Sequence, residues 1–193
     1  MINLAIMLFL TGCTASSQKQ SDTHAAVAIQ QVEQCANIIG GKACNFSAVD
    51  ADENDVELTD LMGSPFILDL SAMWCGPCKL AAQGVQDIQD AYSDYDLQYV
   101  TLIIEDTTGN PPNTIDLQFW KDQAGITTAP VWAGSRELLT PNPVETGSAL
   151  YLDSWPTFYF FDSGMRMKAY HVGFNDALVD ENIGLIISDE NNE

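Results

Sequence analysis

Cys75 and Cys78 lie two residues apart in the run Trp74-Cys75-Gly76-Pro77-Cys78-Lys79. Two thiols at this spacing on a tight Gly-Pro turn can form a reversible dithiol/disulfide couple. Zinc sites use the same spacing, so the spacing alone leaves both chemistries open. The flanks narrow the choice. Pro77 suits the first turn of a helix, where its missing N–H costs nothing. Cys75 is therefore expected at a helix N-terminus, where unpaired N–H groups and the positive end of the dipole favour a thiolate. Its pKa should fall below the ~8.5 of a free thiol, and Lys79 adds a nearby positive charge. Cys78, one turn further in, is expected to be the more buried, resolving thiol, with Cys75 reachable from solvent.

These residues need a strand before them and a helix after them. Residues 65–72 are short, apolar and rich in strand formers, which predicts a buried strand ending just before the cysteines. Apolar residues recur at Ala81, Val85, Ile88 and Tyr92, which predicts one helix over about 76–92. Residues 45–50 and 56–61 read as two short strands joined by an acidic turn, 97–104 as the next strand, and 113–123 as a helix with Ile115, Leu117 and Phe119 on its buried side. A short strand is expected at 129–133. The stretch 135–153 is long and uneven in composition, and reads as a lid or partner-binding loop. Ser154-Trp155-Pro156-Thr157 runs into the strand-forming Phe158-Tyr159-Phe160-Phe161; a proline is tolerated just before a strand and not inside it. Residues 165–172 form the last strand. Residues 175–188 form a closing helix with Leu178, Ile183, Ile186 and Ile187 inward.

The run from Leu68 to Lys79 resembles the thioredoxin superfamily: strand, active-site Trp74, redox turn and helix start. The resemblance covers about residues 45–188. Its N-terminal hairpin and extra strand are similar to the redoxin-type, membrane-tethered thiol-disulfide oxidoreductases of the TlpA and ResA kind. It implies an α/β fold, a central mixed sheet flanked by helices, with an N-terminal β-hairpin and an insertion before a cis-proline loop. Asp69, six residues before Cys75, matches the superfamily's buried acid, which moves protons for the resolving cysteine. Pro156-Thr157 matches the cis-proline motif that faces the disulfide, with Trp155 beside it. Catalytic roles are thus implied for Cys75, Cys78, Asp69 and Pro156, and supporting roles for Trp74, Gly76, Pro77, Lys79, Trp155 and Thr157. Three positions depart from thioredoxin itself. Ser71 replaces a Trp, Gln83 replaces the proline that kinks the helix, and Thr101 stands where a Lys pairs with the buried acid. The last change should leave Asp69 desolvated, without a cation, and raised in pKa.

Length and charge set bounds on these readings. The 193 residues suffice for one domain plus a tail, and 46% hydrophobic content excludes a largely disordered chain. The 27 acids against 7 bases give a net charge of −20. Phosphate neutralisation needs Lys and Arg, so a nucleic-acid partner is excluded. The charge suits a soluble, exported protein.

The remaining cysteines point the same way. Residues 2–10 are apolar, too short to span a bilayer, and look like a signal-peptide core, although no Lys or Arg precedes them. Leu10-Thr11-Gly12-Cys13 resembles the bacterial lipobox, which implies cleavage before Cys13 and lipid on it. The expected organisation is a signal peptide over 1–12, a lipid-anchored polar tether over 13–34, and a thioredoxin-like domain over 35–193. Cys35 and Cys44 flank a small Gly-Gly loop and are expected to form a structural disulfide in an oxidising compartment. A four-cysteine zinc site with Cys75 and Cys78 would consume the redox pair.

The favoured function is a thiol-disulfide oxidoreductase in the bacterial cell envelope, facing the periplasm. It would work without a cofactor beyond the Cys75–Cys78 couple, take protein disulfides as substrates, and draw electrons from a membrane thiol relay. Gly-Pro between the cysteines resembles reducing members of the superfamily more than strong oxidants. The alternative is a copper-handling chaperone using Cys75, Cys78 and His171, although such relatives carry three residues between the cysteines. A peroxiredoxin-type peroxidase needs Thr where Ala72 stands.

Overall fold

The structure is a computed structural model that describes residues 35–140 and 148–188. The expected signal peptide and tether, and Cys13, lie outside the described residues. The first strand pair, β1 (Ser47–Asp50) and β2 (Asp55–Glu57), is antiparallel. Asp50 closes its acidic turn by accepting the N–H groups of Asp52 and Asn54. The second run predicted as strand ends early. Leu58–Leu61 forms a 3-10 turn instead, which carries Leu58 and Leu61 into the core; burial of two leucines three apart overrides the strand reading.

Strand β3 (Phe66–Ala72) is buried along its whole length. It lies between β4 (Gln98–Glu105), to which it is parallel, and β8 (Thr157–Phe161), to which it is antiparallel. A strand covered on both faces reads as a continuous apolar run. β5 (Val131–Ala133) adds in parallel to β4 and pairs antiparallel with β1. β9 (Met167–Val172) closes the other edge beside β8. The sheet order is β2-β1-β5-β4-β3-β8-β9. Strand alternation divides the core into two layers. One holds Phe66, Leu68, Leu70, Val100, Leu102 and Phe161. The other holds Ile67, Tyr99, Ile103, Phe158 and Phe160, together with Cys75 and Cys78.

The predicted helix over 76–92 is two helices, α1 (Gly76–Ala82) and α2 (Val85–Ala91), broken at Gln83 and Gly84. The break occurs without the superfamily's proline. Glycine is a poor helix former and serves as the N-cap of α2. Helix α3 (Thr114–Ala124) starts on an Asn113 cap and ends at Gly125, whose φ of +70° suits glycine. Its buried face differs from the expected one: Leu117 and Trp120 are inside, whereas Ile115 is 78% exposed and Phe119 54% exposed. Trp120, three residues after Leu117, presents the larger apolar surface, so the helix turns that face inward. Helix α4 (Asp176–Ile187) buries Val179, Ile183 and Ile186 and leaves Leu178 partly exposed. Among the described residues no helix is long and apolar enough to cross a membrane.

The ends of the 135–153 stretch are anchored. β6 (Leu139–Thr140) pairs in parallel with β7 (Leu150–Tyr151). The Asn37 amide donates to Ser148 O at 2.8 Å, and the Tyr159 hydroxyl donates to Tyr151 O.

Candidate active site

Cys75 and Cys78 form a disulfide with Cα atoms 5.3 Å apart. Cys75 is the N-cap of α1, and its Sγ accepts the Cys78 backbone N–H at 3.1 Å. Pro77 stands in the first turn beside Gly76, as expected. Because α1 is only seven residues long, a thiolate at Cys75 would be favoured mainly by this local N–H rather than by a long helix dipole. Cys78 is fully buried, and Cys75 is 3% exposed. The first sulfur is thus less open in the disulfide state than the sequence suggests, because Ala72, Met73, Phe158 and Trp155 pack into the same cluster. The Lys79 side chain lines a cavity of about 260 Å³ between α1 and α3, with Met73, Phe119 and Trp120. Its backbone N–H donates to Cys75 O at 3.2 Å.

Asp69 is fully buried on β3. Residues 67, 69 and 71 share a face, and Ile67 belongs to the layer that holds the disulfide. Burial pushes the Asp69 carboxyl up to about 7, opposed in part by the Ser71 hydroxyl, which donates to Oδ1 at 2.8 Å. Oδ2 has no hydrogen-bond partner among the described residues. Thr101 lies opposite Asp69 in the parallel β3–β4 register, and its Oγ1 is also without a partner among them. Among the described residues the carboxyl therefore has no cation beside it where the Lys of thioredoxin would reach, and the Ser71 position supplies a hydrogen bond instead.

The Trp155–Pro156 peptide is cis. Thr157 opens β8 opposite Leu70, so Pro156 stands at the end of the sheet where β3 delivers Cys75. Thr157 Oγ1 donates to Ser154 O at 2.8 Å, and Pro156 O accepts the Gly173 N–H at 2.8 Å, which ties the loop from both sides. Trp74, 47% exposed, meets Trp155 edge to face at 6.1 Å.

His171 adjoins this arrangement through Phe158, which packs in the cluster that holds the disulfide. Its ring packs on Phe158 and Phe160, with Nδ1 3.1 Å from the Asn182 amide, and burial holds its pKa below the ordinary value. Among the described residues no group of three or more His, Cys, Asp or Glu side chains could hold a metal ion. Cys35 and Cys44 form a disulfide with Cα atoms 4.9 Å apart. It closes a loop whose Gly40 and Ala43 N–H groups donate to Met167 O and Met165 O.

Glu105 was not singled out by the sequence. It ends β4 at 4% exposure, where Oε2 accepts the Trp74 indole N–H at 2.7 Å and Oε1 accepts from Arg136 Nε. The available signal was an acid directly after the apolar run 99–104, at the end of the strand beside the one that carries the cysteines.

A model of the AhpC/TSA family matches residues 39–169. The chain belongs to that family. It is 38% identical over 56 residues to a thioredoxin of Acidithiobacillus ferridurans, 28% of this chain and 51% of that protein. It is 31% identical over 58 residues to the thiol-disulfide oxidoreductase ResA of Oceanobacillus iheyensis, 30% of each. The match thus spans about half the length of the thioredoxin and under a third of ResA. Among solved structures, one described as the thiol:disulfide interchange protein DsbE of Chlorobium tepidum superposes with a TM-score of 0.62 at 24% identity, over 78% of this chain and 99% of that one. This AhpC/TSA family member has a thioredoxin-like fold, with the central mixed sheet and flanking helices that its sequence implies.

Proposed function

We propose that this protein is a thiol-disulfide oxidoreductase that reduces disulfides of exported proteins through the Cys75–Cys78 couple. The observation that carries the reading is Cys75 Sγ capping the helix that bears Cys78. In the reduced protein, the Cys75 thiolate attacks one sulfur of a partner disulfide. A Cys75–partner disulfide forms, the partner's S–S bond breaks, and its other sulfur leaves as a thiolate that takes up a proton. Cys78 then gives its proton to the Asp69 carboxylate and attacks Cys75 Sγ. The second partner sulfur leaves and is protonated. Two electrons have passed from the dithiol to the partner, and the Cys75–Cys78 disulfide remains. Asp69, with a pKa near neutrality, suits a proton acceptor at this step. Pro156 and the backbone beside Trp155 hold the partner as an added strand edge, with Trp74, Gly76, Pro77, Lys79 and Thr157 shaping the surroundings.

The proposed setting is the periplasm-facing cell envelope, with lipid on Cys13, residues 13–34 as tether, and a membrane thiol relay as electron donor. The resemblance of Leu10-Thr11-Gly12-Cys13 to a lipobox and the similarity to ResA and DsbE support it. Cys35–Cys44 serves as a structural disulfide in that compartment.

Cys78→Ser tests the exchange. The variant should accumulate mixed disulfides between Cys75 and client proteins, resolved by reductant on a gel. Absence of trapped species while Cys75 remains free and alkylatable would overturn the mechanism. Lipidation is tested separately by fatty-acid labelling that Cys13→Ser abolishes.

A further inference from the structure

Glu105 connects two parts of the chain that the exchange mechanism leaves unrelated. It pairs with Ala72 at the end of β3, and its carbonyl accepts the Met73 N–H at 2.9 Å. A buried carboxylate is costly unless its oxygens are satisfied. Here each oxygen has a donor from a different direction: the indole of Trp74, beside Cys75, and the Nε of Arg136, in the stretch inserted after β5. Arg136 is otherwise open, with 64% of its side chain exposed. On its other side Trp74 meets Trp155, the residue before Pro156. Arg136, Glu105, Trp74 and Trp155 therefore form a continuous line from the insertion, past the redox turn, to the proline loop.

A half-exposed tryptophan without a polar anchor samples several rotamers, and fixing it on contact with a partner costs entropy. Holding the indole in place beforehand removes that cost from binding. An arginine–carboxylate contact is directional, so it fixes the orientation of Glu105 as well as its position. We infer that Glu105 is a positioning residue that presets Trp74 as part of the surface that docks polypeptide disulfides, and that Arg136 makes the inserted stretch a determinant of how tightly they bind. This rests on the proposed exchange function. A merely structural, half-exposed ion pair would contribute little to stability and nothing to substrate choice.

The test compares Arg136→Ala, Glu105→Ala and Glu105→Gln in the full chain. Rates are measured with disulfide-bonded insulin and with oxidised glutathione, using dithiothreitol to recycle the enzyme. Both alanine variants should raise KM for insulin roughly tenfold, the loss of one hydrogen bond to a charged group, with kcat changed by less than about twofold. Turnover of glutathione disulfide should change by less than about twofold. Fluorescence anisotropy of Trp74, isolated by subtracting a Trp74→Phe control, should fall in both. Glu105→Gln, whose amide oxygen still accepts the indole N–H but whose NH2 cannot accept from Arg136, should match Arg136→Ala. Unchanged KM and anisotropy in the alanine variants, or an equal loss on both disulfides, would overturn the inference. If Glu105→Ala does not fold, Arg136→Ala, altered at an exposed side chain, decides alone. If the wild-type chain reduces no insulin, the exchange reading fails, and the anisotropy comparison still decides whether Glu105 and Arg136 fix Trp74.

Discussion

The backbone N–H of Cys78 donates to Cys75 Sγ over 3.1 Å, so the first sulfur caps the helix that carries the second. Capping by an anion is stronger than capping by a neutral acceptor. Reduction should therefore leave Cys75 with a pKa below the ~8.5 of a free thiol, and Cys78 above it because of burial. Absorbance at 240 nm against pH, with Cys78→Ser and Cys75→Ser as single-thiol references, measures both. Equal values near 8.5 would remove the basis for assigning Cys75 as the nucleophile.

Asp69 makes stability depend on pH in an unusual direction. Its carboxyl ionises at about 7 in the folded chain, against an ordinary 3.8. Between those values the unfolded chain releases a proton that the native chain keeps. Stability therefore falls as pH rises through this window and stays level above it. Asp69→Asn should raise the stability of the oxidised protein at pH 8 by on the order of 4 kcal/mol at most, and by little at pH 4. Urea unfolding at the two pH values gives the comparison. A variant that is destabilised at pH 8 would show that the carboxylate is not an unpaired charge there.

The same carboxyl should appear in the kinetics. The rate at which Cys78 resolves a preformed mixed disulfide should rise through about pH 7, as Asp69 becomes able to accept a proton. Asp69→Asn should flatten that rise. Stopped-flow release of a thionitrobenzoate adduct on Cys75 reports the step directly. A profile unchanged by the substitution would assign the proton to solvent.

Gly134 tests the packing that delivers the chain to Arg136. A Cβ there would lie 2.7 Å from Ile104 Cδ1 and 2.9 Å from Leu102 Cγ, both buried. The Gly134 N–H also donates to Ile103 O at 2.8 Å, so the backbone is not free to retreat. Gly134→Ala should cost about 1–3 kcal/mol, the usual range for overpacking. A denaturation midpoint equal to that of the wild type would mean that the Leu102 layer yields.

Joint replacement of Cys35 and Cys44 by Ala should cost about 2–3 kcal/mol, because a short loop is no longer closed in the unfolded chain. Exchange at Cys75 should persist, since the loop is held by Met165 and Met167 rather than by the redox turn. Loss of exchange in a folded double variant would give this disulfide more than a structural part.

Local chemistry was legible in the sequence. The Gly-Pro turn, the apolar run into Cys75 and the strand after Pro156 depend on residues within a few positions of one another. Short-range backbone preferences therefore fix them, and Pro77 at the start of α1 and Asp69 on a fully buried strand follow. Where two local rules competed, the sequence was ambiguous. Leu58 and Leu61 fit a strand or a tight helical turn, and burial selected the turn. The inward face of α3 was misjudged because Ile115, Leu117, Phe119 and Trp120 offer more than one apolar stripe, and only the neighbouring layer decides which is covered.

The partnership of Glu105 with Trp74 and Arg136 belongs to tertiary structure alone. Those contacts join residues 31 positions apart in each direction, and no periodicity or spacing rule extends that far. By itself the sequence determined which two sulfurs can meet across a short turn at the start of a helix, because that depends on residue type and local turn geometry. The packing of β4 beside β3, and the return of the chain after β5, decided which side chains steady the tryptophan next to them, because a hydrogen bond requires atoms to meet in space.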